Sequence, residues 1–385
     1  MSLAEVLASH RVVVTVGSGG VGKTTSAAAL AVHAAMQGRR VLCLTIDPAR
    51  RLANSLGLSE MTSSEQEVPR ELFEAAGLEL RGSLAAMMLD TKKTFDTLVA
   101  NLAKSPEARD RILNNEIYKY VSGSLAGTQE YMAMEKLFEV RKDPQWDLVV
   151  LDTPPTANAL DFLDAPERLV GAIDSPATRW FVQAYESSQK GAFGALLSKG
   201  ASMLLNGLSK FTGADFLKQI AEFIAGLNEL FGGFREHAEE VSAALRSPDV
   251  AFLVVTSPHP LAVREAMFFS DKLKDAGMRR DGVIVNQVHQ LLPEPKASDE
   301  ELAQILAPHL PEGTEPGDAV ARMMQALEDE RMRAVADRVE TDRLRHHLGP
   351  SVRMVEVPAL EADVHDIQSL AEVSRYLTGE ATSAL

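Results

Sequence analysis

One short segment constrains the fold of this chain more than any other. Residues 17–24 read GSGGVGKT and fit the pattern G-x-x-x-x-G-K-[ST]. The segment follows the apolar run RVVVTV at 11–16 and precedes an alanine-rich, helix-prone stretch at 23–37. Glycines allow a tight loop whose backbone N–H groups point at phosphate oxygens, and the positive end of the following helix adds to that attraction. This context predicts a strand, a phosphate-binding loop and a helix rather than a chance glycine-rich turn.

The residues of this loop have different expected tasks. We expect Lys23 to contact the β- and γ-phosphates and to act in catalysis, and Thr24 to give its hydroxyl to Mg²⁺. Thr25 is placed to meet the α-phosphate. ATP or ADP and Mg²⁺ are therefore the predicted ligands. The nucleotide-binding residues predicted in this segment are Gly17, Ser18, Gly19, Gly20, Val21, Gly22, Lys23, Thr24 and Thr25.

Apolar, β-branched runs recur along the chain and end in residues of chemical interest. Such short continuous runs are typical of strands buried on both faces. Strands that alternate with helices predict an α/β fold, a mostly parallel sheet flanked by helices, whose ligands bind at the carboxyl ends of the strands. The further runs lie at 40–46, 147–151, 250–256, 282–285 and 352–357. The helical patterns lie at 23–37, 129–142, 260–276 and 364–377.

Two segments interrupt this alternation. From 156 to 246 no strand pattern is visible and apolar residues recur at helical spacing, which predicts a helical insertion subdomain. The P-loop ATPase core then comprises 1–155 and 247–385. A second insertion, at 290–348, is helical but charged, and we expect it to be solvated.

Two aspartates that follow predicted strands complete the expected site. Asp152 ends the run DLVVLD and is expected to hold Mg²⁺, directly or through water. Asp47 ends the second strand, where it can orient or deprotonate the attacking water. An aspartate in this position is otherwise often a helix cap, which is the alternative for both residues.

Charge and cysteine content exclude several classes of function. The net charge is −15, from 39 basic and 54 acidic residues, which disfavours a broad nucleic-acid surface. The single cysteine, Cys43, excludes an intrachain disulfide and an all-cysteine metal or arsenic site, and its apolar surroundings indicate a small buried core residue. No secretory signal precedes the first strand, and no uncharged apolar run of ~20 residues exists to span a bilayer. We therefore expect a cytoplasmic protein.

Six segments in order resemble the ArsA-like family, which comprises the ATPases that drive arsenite pumps and relatives that target tail-anchored membrane proteins. These segments span nearly the whole chain: GSGGVGKTTSAAALA, TIDPARRLANSLG, LDTPPTANALDFLDAPERL, VVTSPHPLAVREA, VIVNQV and VPALEADVHDIQSL. The resemblance implies a P-loop ATPase that works as a dimer. Nucleotides lie at the interface of such a dimer, which opens and closes as ATP is bound and hydrolysed.

The resemblance also implies roles for individual residues. Asp47, in TIDPA, looks like the residue that positions the hydrolytic water, and Asp152, in DTPPT, like the one that senses Mg²⁺ and the γ-phosphate. Asn286 matches an asparagine that hydrogen-bonds adenine. Pro358 lies in the segment that resembles the loop packed against the base.

Ser18 departs from the family pattern G-K-G-G, whose lysine reaches the nucleotide of the other subunit. A hydroxyl cannot replace a cation at a developing phosphoryl charge, and a trans-acting cation is worth on the order of 10³–10⁵ in rate. Three readings stay open: a homodimer that hydrolyses ATP slowly, a heterodimer with a lysine-bearing paralogue, or another cation that does the work of the lysine. The cysteines that bind zinc or arsenite in relatives are missing too.

The helical insertion has two interpretations. In relatives that carry membrane proteins, the equivalent helices form an apolar groove for a transmembrane segment, which implies a membrane-protein client and transient membrane association. Alternatively, the helices bury their apolar stripes against each other. The stripe in question comprises Phe216, Ile220, Phe223, Ile224, Leu227, Leu230, Phe231 and Phe234.

Four functions compete on these grounds. The first is an ATP-driven carrier for membrane or hydrophobic proteins, and the second an ATPase subunit that energises anion transport at a membrane. The missing cysteines disfavour arsenite as that anion. The third is a positioning ATPase of the ParA/MinD type, which the long helical insertion disfavours. The fourth is a nucleotide-binding partner of low turnover in a heterodimer.

Overall fold

One sheet forms the centre of the described part of the chain. The computed structural model describes residues 2–46, 51–122, 128–153, 171, 176 and 214–381. Within these residues the strand order is β3-β4-β2-β5-β1-β6-β7-β8, and all neighbours are parallel except β3 and β4. This confirms the predicted α/β fold with a mostly parallel sheet. The strands are β1 (Val12–Val16), β2 (Arg40–Thr45), β3 (Gln66–Glu67), β4 (Ser83–Met88), β5 (Leu148–Asp152), β6 (Val250–Thr256), β7 (Arg280–Val288) and β8 (Met354–Pro358).

Helices cover both faces of the sheet. The four predicted helical patterns correspond to α2, α8, α10 and α13 of the following series. The described helices are α1 (Ala4–Ser9), α2 (Lys23–Met36), α3 (Arg51–Ser55), α4 (Arg70–Ala75), α5 (Thr91–Leu102), α6 (Pro106–Leu113), α7 (Glu116–Val121), α8 (Thr128–Arg141), α9 (Ala214–Leu245), α10 (Pro260–Asp275), α11 (Asp299–Leu306), α12 (Pro316–Leu348) and α13 (Ile367–Thr378), with a 3₁₀ turn at Ala307–His309.

The sheet is buried on both faces, which explains its continuous apolar runs. Along β1, Val12, Val14 and Val16 belong to one core cluster and Val13 to the other. Small side chains let α2 lie close to the sheet, because six of its alanines are fully or almost fully buried: Ala27, Ala28, Ala29, Ala31, Ala34 and Ala35. The phosphate loop therefore leaves a strand in the interior of the sheet and enters a helix that is held from all sides.

The sequence patterns missed β3, β4 and the helices between β4 and α8. Strand β4 reads SLAAMM, and its alanines and methionines lack the β-branched character that marks the other strands. What makes it a strand is its pairing with β2, from Arg40 with Ser83 to Thr45 with Met88. A tertiary contact, rather than local preference, decides this element.

Helix α9 is the described end of the helical insertion predicted at 156–246. Phe223, Leu230 and Phe234 of its apolar stripe are buried in the core cluster that also contains residues of α5 to α8. For these three residues the structure supports core packing. Between 154 and 213 only residues 171 and 176 are described, so the boundaries of the insertion stay a prediction.

Close approach and aromatic contacts hold α9 in place. A Cβ at Gly226 would lie 2.8 Å from the side chain of Ile112 in α6, so only glycine fits there without a shift. The ring of Phe95 stacks on Tyr118 with centroids 5.6 Å apart and lies 6.2 Å from that of Phe234. Aromatic pairs of this kind add about 0.5–1.5 kcal/mol to the gain from burial.

The second insertion, at 290–348, is helical as predicted but is not solvated throughout. Leu344 and Leu348, near the end of α12, are buried in the core cluster on one face of the sheet. His347 contacts the carboxylate of Asp271 in α10 at 3.1 Å. The expectation of a solvated segment was wrong for one face of α12, where buried residues recur at multiples of seven: Val320, Ala334, Thr341 and Leu348.

Candidate functional site

The phosphate loop takes a backbone path that needs glycine at two points. Gly17 has φ 152°, and a Cβ there would lie 2.0 Å from the carbonyl oxygen of Val255 in β6. Gly22 has φ 91° and caps α2, and a Cβ there would lie 2.1 Å from Nδ2 of Asn286. The left-handed backbone and the lack of space both exclude larger residues. The loop is thus tied to β6 on one side and to the end of β7 on the other.

Lys23 is a buried cation that folds back over this loop. Its side chain is only 6% exposed, and Nζ donates a hydrogen bond to the carbonyl oxygen of Ser18 at 2.7 Å. Within the described chain, the hydroxyl oxygen of Ser18 is buried and has no hydrogen-bond partner. A lysine ammonium held across a loop of backbone N–H groups is suited to bind phosphate oxygens.

Asp152 lies where three strand ends and the start of α2 meet. Its Oδ2 accepts hydrogen bonds from Oγ1 of Thr24 at 2.8 Å and from Oγ1 of Thr45 at 3.1 Å. The carboxylate is fully buried, and the next residue, Thr153, donates from Oγ1 to the carbonyl oxygen of Thr15 at 2.8 Å. Carboxylate and hydroxyl oxygens are the donors that Mg²⁺ prefers, so this arrangement fits the predicted metal.

A cavity of about 780 Å³ connects the phosphate loop to the loop after β8. This volume is within the range of small-molecule sites. The phosphate end of the cavity, as we call it, is lined by Gly20, Gly22, Lys23, Thr24 and Thr25, with Asn54, Ser55 and Thr153 beside them. A second part of the lining contains the residues predicted to bind the base and is called the nucleoside end for that reason: Asn286, Gln287, His289, Pro358, Ala359, Leu360, Ala362, Asp363, Val364 and His365.

Asn286 joins the two ends of this cavity. Its Nδ2 donates a hydrogen bond to the carbonyl oxygen of Val21 at 3.1 Å. The next residue, Gln287, has φ 62°, and the pairing of β7 with β8 shifts between Val285 and Val288. The strand is therefore irregular at the point where it contacts the phosphate loop.

The predicted site residues differ in how the structure places them. Asp47 lies outside the described residues. Thr25, Asn286 and Pro358 line the same cavity as Lys23 and Thr24. Gly19 and Val21 belong to the loop, where Val21 is 3% exposed and packs in the core cluster that contains α2. Asp152 touches Thr24, as its predicted role requires.

Two residues of the site escaped the sequence analysis. Thr45 is the last residue of β2 and pairs in register with Asp152, a relation that the order of the strands reveals and the sequence does not. His289 follows β7 and is held by Asp337 from α12, at 2.7 Å between Nδ1 and Oδ2. The only sequence signal for it was its position three residues after Asn286.

Cys43 is buried, as predicted, and lies in β2 beside β5. Burial raises the pKa of its thiol, and the negative charge of Asp152 raises it further. The thiol is therefore kept protonated and unreactive. Among the described residues, no helix has the length and apolar character needed to cross a membrane.

The fold and this cavity define a P-loop NTPase: a glycine loop after an interior strand, a buried lysine, and a threonine–aspartate contact at the carboxyl edge of a parallel sheet. The family model described as anion-transporting ATPase matches residues 10–306, and the chain belongs to this family and is an ATPase.

Individual relatives are similar over most of their length. The putative arsenical pump-driving ATPase 2 of Aquifex aeolicus (strain VF5) is 25% identical over 72% of this chain and 79% of its own. The ATPase GET3 of Rhodotorula glutinis is 26% identical over 72% of this chain and 69% of its own. The ATPase GET3 of Chaetomium globosum is 24% identical, with 74% of each chain covered.

Proposed function

We propose that this chain is a Mg²⁺-dependent, dimeric ATPase whose nucleotide-driven opening and closing controls a helical subdomain that handles membrane or hydrophobic protein clients. The observation that carries the nucleotide part is the single cavity bordered by the phosphate loop, the end of β7 and the loop after β8. Membership of the anion-transporting ATPase family and similarity to proteins named arsenical pump-driving ATPase and ATPase GET3 support it.

In this proposal each end of the cavity holds one part of ATP. Lys23 and the backbone N–H groups of 17–22 bind the β- and γ-phosphates, and Thr25 meets the α-phosphate. Thr24 and Asp152 hold Mg²⁺, which neutralises phosphate charge when it is bound. Asp47, outside the described residues, orients the attacking water. Asn286 reads the edge of adenine.

The loop after β8 supplies the face against which the base packs. Pro358, at the end of β8, and Ala359 and Leu360 of the following loop are apolar and line the same cavity as the phosphate loop. An apolar wall gives a base contact area without competing for its hydrogen-bonding edge. Pro358 is the last residue of β8, so the sheet itself sets the position of this wall.

Ser18 determines which dimer the chain forms in this proposal. Because the loop has no lysine at this position, we infer a heterodimer in which a lysine-bearing paralogue supplies the trans-acting cation. A slow homodimer is the alternative.

The test measures ATP hydrolysis and dimer mass for the chain alone and mixed with a lysine-bearing paralogue from the same genome. Hydrolysis should rise on mixing, with a mass equal to the sum of the two chains. In the isolated chain, Ser18→Lys should raise the rate at least about tenfold, a small part of what a trans-acting cation contributes. Ser18→Met, of similar length but uncharged, is the matched control. No increase for Ser18→Lys would contradict the role given to Ser18.

The client is the part of the proposal that rests most on the resemblance. Because Phe223, Leu230 and Phe234 of α9 face the core, a client surface has to come from other residues of the insertion at 156–246. Pull-down of solubilised membranes with the protein, with and without ATP, tests this. Nucleotide-dependent recovery of proteins with a single terminal transmembrane helix supports a carrier. Recovery of one polytopic membrane protein instead supports an ATPase subunit that energises anion transport.

A further inference from the structure

An imidazole–carboxylate pair borders the nucleoside end of the cavity. His289 donates hydrogen bonds to one oxygen, Oδ2 of Asp337, from its backbone N–H at 2.9 Å and from Nδ1 at 2.7 Å. Because an ionised carboxylate only accepts hydrogen bonds, Nδ1 carries the proton in this contact. The second ring nitrogen, Nε2, is then the group that His289 offers to a ligand.

The placement of the two residues separates their tasks. The side chain of Asp337 is 15% exposed and that of His289 is 29% exposed. The carboxylate is therefore mostly shielded from solvent and accepts hydrogen bonds from the histidine, while part of the imidazole stays exposed. His289 lines the cavity together with Asn286, whereas Asp337 does not line it.

We propose that His289 is a specificity-determining residue of the nucleotide site, which accepts a hydrogen bond from the nucleoside through Nε2, and that Asp337 is its positioning residue. His289 lines the cavity three residues after Asn286, which the proposed function assigns to adenine, so the part of the ligand assigned to His289 is the sugar and base. Sugar hydroxyls and the adenine amino group are the donors available there. The inference rests on the proposed assignment of this cavity to ATP or ADP.

Asp337 holds both the backbone and the ring of His289, which makes the direction of Nε2 a consequence of the fold. Asp337 belongs to α12, and the last turns of that helix are anchored in the core by Leu344 and Leu348. A ring that is already fixed loses little rotational freedom when a ligand binds. Less of the free energy of its hydrogen bond is therefore offset by the cost of ordering the side chain. The pair thus makes α12, a helix remote from the phosphates, part of the nucleotide site.

The decisive experiment compares ADP with inorganic pyrophosphate, each with Mg²⁺, by isothermal titration calorimetry. Pyrophosphate fills the phosphate end only, so its affinity reports the loop without the nucleoside. His289→Leu should lower the affinity for ADP about tenfold, which corresponds to about 1.4 kcal/mol. The affinity for pyrophosphate should stay within about twofold of that of the unchanged protein. Unchanged pyrophosphate binding also proves that the variant is folded.

Asp337→Ala should lower the affinity for ADP about threefold to fivefold. In the His289→Leu background it should cause no further loss of affinity, because both substitutions remove the same contact. The matched control is the pair formed by His347 of α12 and Asp271 of α10, which are in contact at 3.1 Å and do not line the cavity. His347→Leu and Asp271→Asn should leave the affinity for both ligands unchanged.

Three results are distinguishable from the expected one. Equal losses of ADP and pyrophosphate in His289→Leu would mean that the pair only supports the fold, and no loss of either would mean that His289 touches no nucleotide. Both overturn the inference. Lys23→Ala, in contrast, should weaken the binding of both ADP and pyrophosphate. If it does not, the assignment of the cavity fails first, and the inference with it.

Discussion

The phosphate end and the nucleoside end of the cavity are built in opposite ways. The phosphate end is formed mainly by residues of the consecutive segment 17–25, whose Thr24 contacts Asp152 at the end of a neighbouring strand. The nucleoside end brings together 286–289 and 358–365, with Asp337 behind them on α12. One end is thus a local structure and the other a product of tertiary packing.

This difference determines which substitutions affect each end of the cavity. The phosphate end depends mainly on backbone N–H groups and glycine conformations, which are local to the segment 17–25. The nucleoside end depends on the packing of α12 and β8 against β7, so that changes far along the chain reach it. The contact of Asn286 with Val21 and Gly22 is where the two ends meet.

The largest expected effect tests the phosphate end alone. Lys23→Ala should lower ATP hydrolysis by on the order of 10²–10³, the cost typical of removing one preorganised charge contact in a transition state. The rate is measured by phosphate release at saturating ATP. Lys274→Ala, on the exposed face of α10, is the control. A variant that keeps most of its activity would break the comparison, since another cation would then serve the phosphates.

The second prediction concerns the contact between the ends. Gly22→Ala should destabilise the fold by about 2–3 kcal/mol, because the left-handed backbone costs about 1–2 kcal/mol and the new Cβ must displace Asn286. Gly20→Ala is the matched control, with φ 78° but no atom within 4 Å of the added Cβ, and it should cost only about 1 kcal/mol. Urea unfolding measures both. Equal losses would show that backbone strain alone acts at Gly22.

The third prediction asks whether Asn286 belongs to both ends. Asn286→Ala should lower the affinity for ADP about tenfold, because one or two hydrogen bonds to the base are lost. It should also weaken pyrophosphate about threefold, because Val21 loses the hydrogen bond that steadies the loop. Calorimetry with the two ligands measures the split. A loss of affinity for ADP alone would contradict this prediction, because Asn286 would then contribute only to the nucleoside end.

The smallest effect concerns the histidine–carboxylate pair that joins α9 to α8. His237 contacts Glu135 at 2.7 Å, and this hydrogen bond, opposed by burial, raises the pKa of the imidazole above 6.5. A raised pKa adds stability below pH 6.5 that is lost as the pH rises through the folded-state pKa.

Glu135→Gln should therefore destabilise the protein by roughly 0.5–1 kcal/mol at pH 6 and by less at pH 9. Urea unfolding at the two pH values measures the difference. Glu139→Gln, exposed on the same helix, serves as the reference and should show no such pH dependence. A constant loss across this range would mean that the charge on His237 does not contribute, and α9 would then be held by apolar contacts alone.

Most of the sheet was predictable because its strands are buried on both faces. The run at 250–256 was identified to the residue as β6, and β1, β2 and β5 to within one residue at each end. Strand β4 was not predictable, because SLAAMM has no strand-specific composition and becomes a strand only beside β2. The buried face of α12 was missed for a related reason, since its apolar positions are spaced among many charges.

The residues of the site likewise fall into those that the sequence predicted and those that it did not. The loop, Thr24 and Asp152 followed from motif and context, and the structure brings the hydroxyl of Thr24 within 2.8 Å of the carboxylate of Asp152. Thr45 did not follow, because its closeness to Asp152 depends on β2 lying next to β5. His289 and Asp337 are 48 residues apart, and no local pattern relates them.

By itself, the sequence determined the phosphate loop, the kind of fold and the class of ligand, because glycine conformations and buried apolar runs act over a few residues. Only the tertiary structure decided which threonine supports Asp152 and which helix holds His289. Those contacts join residues far apart in the chain, and they exist only once the strands have taken their order.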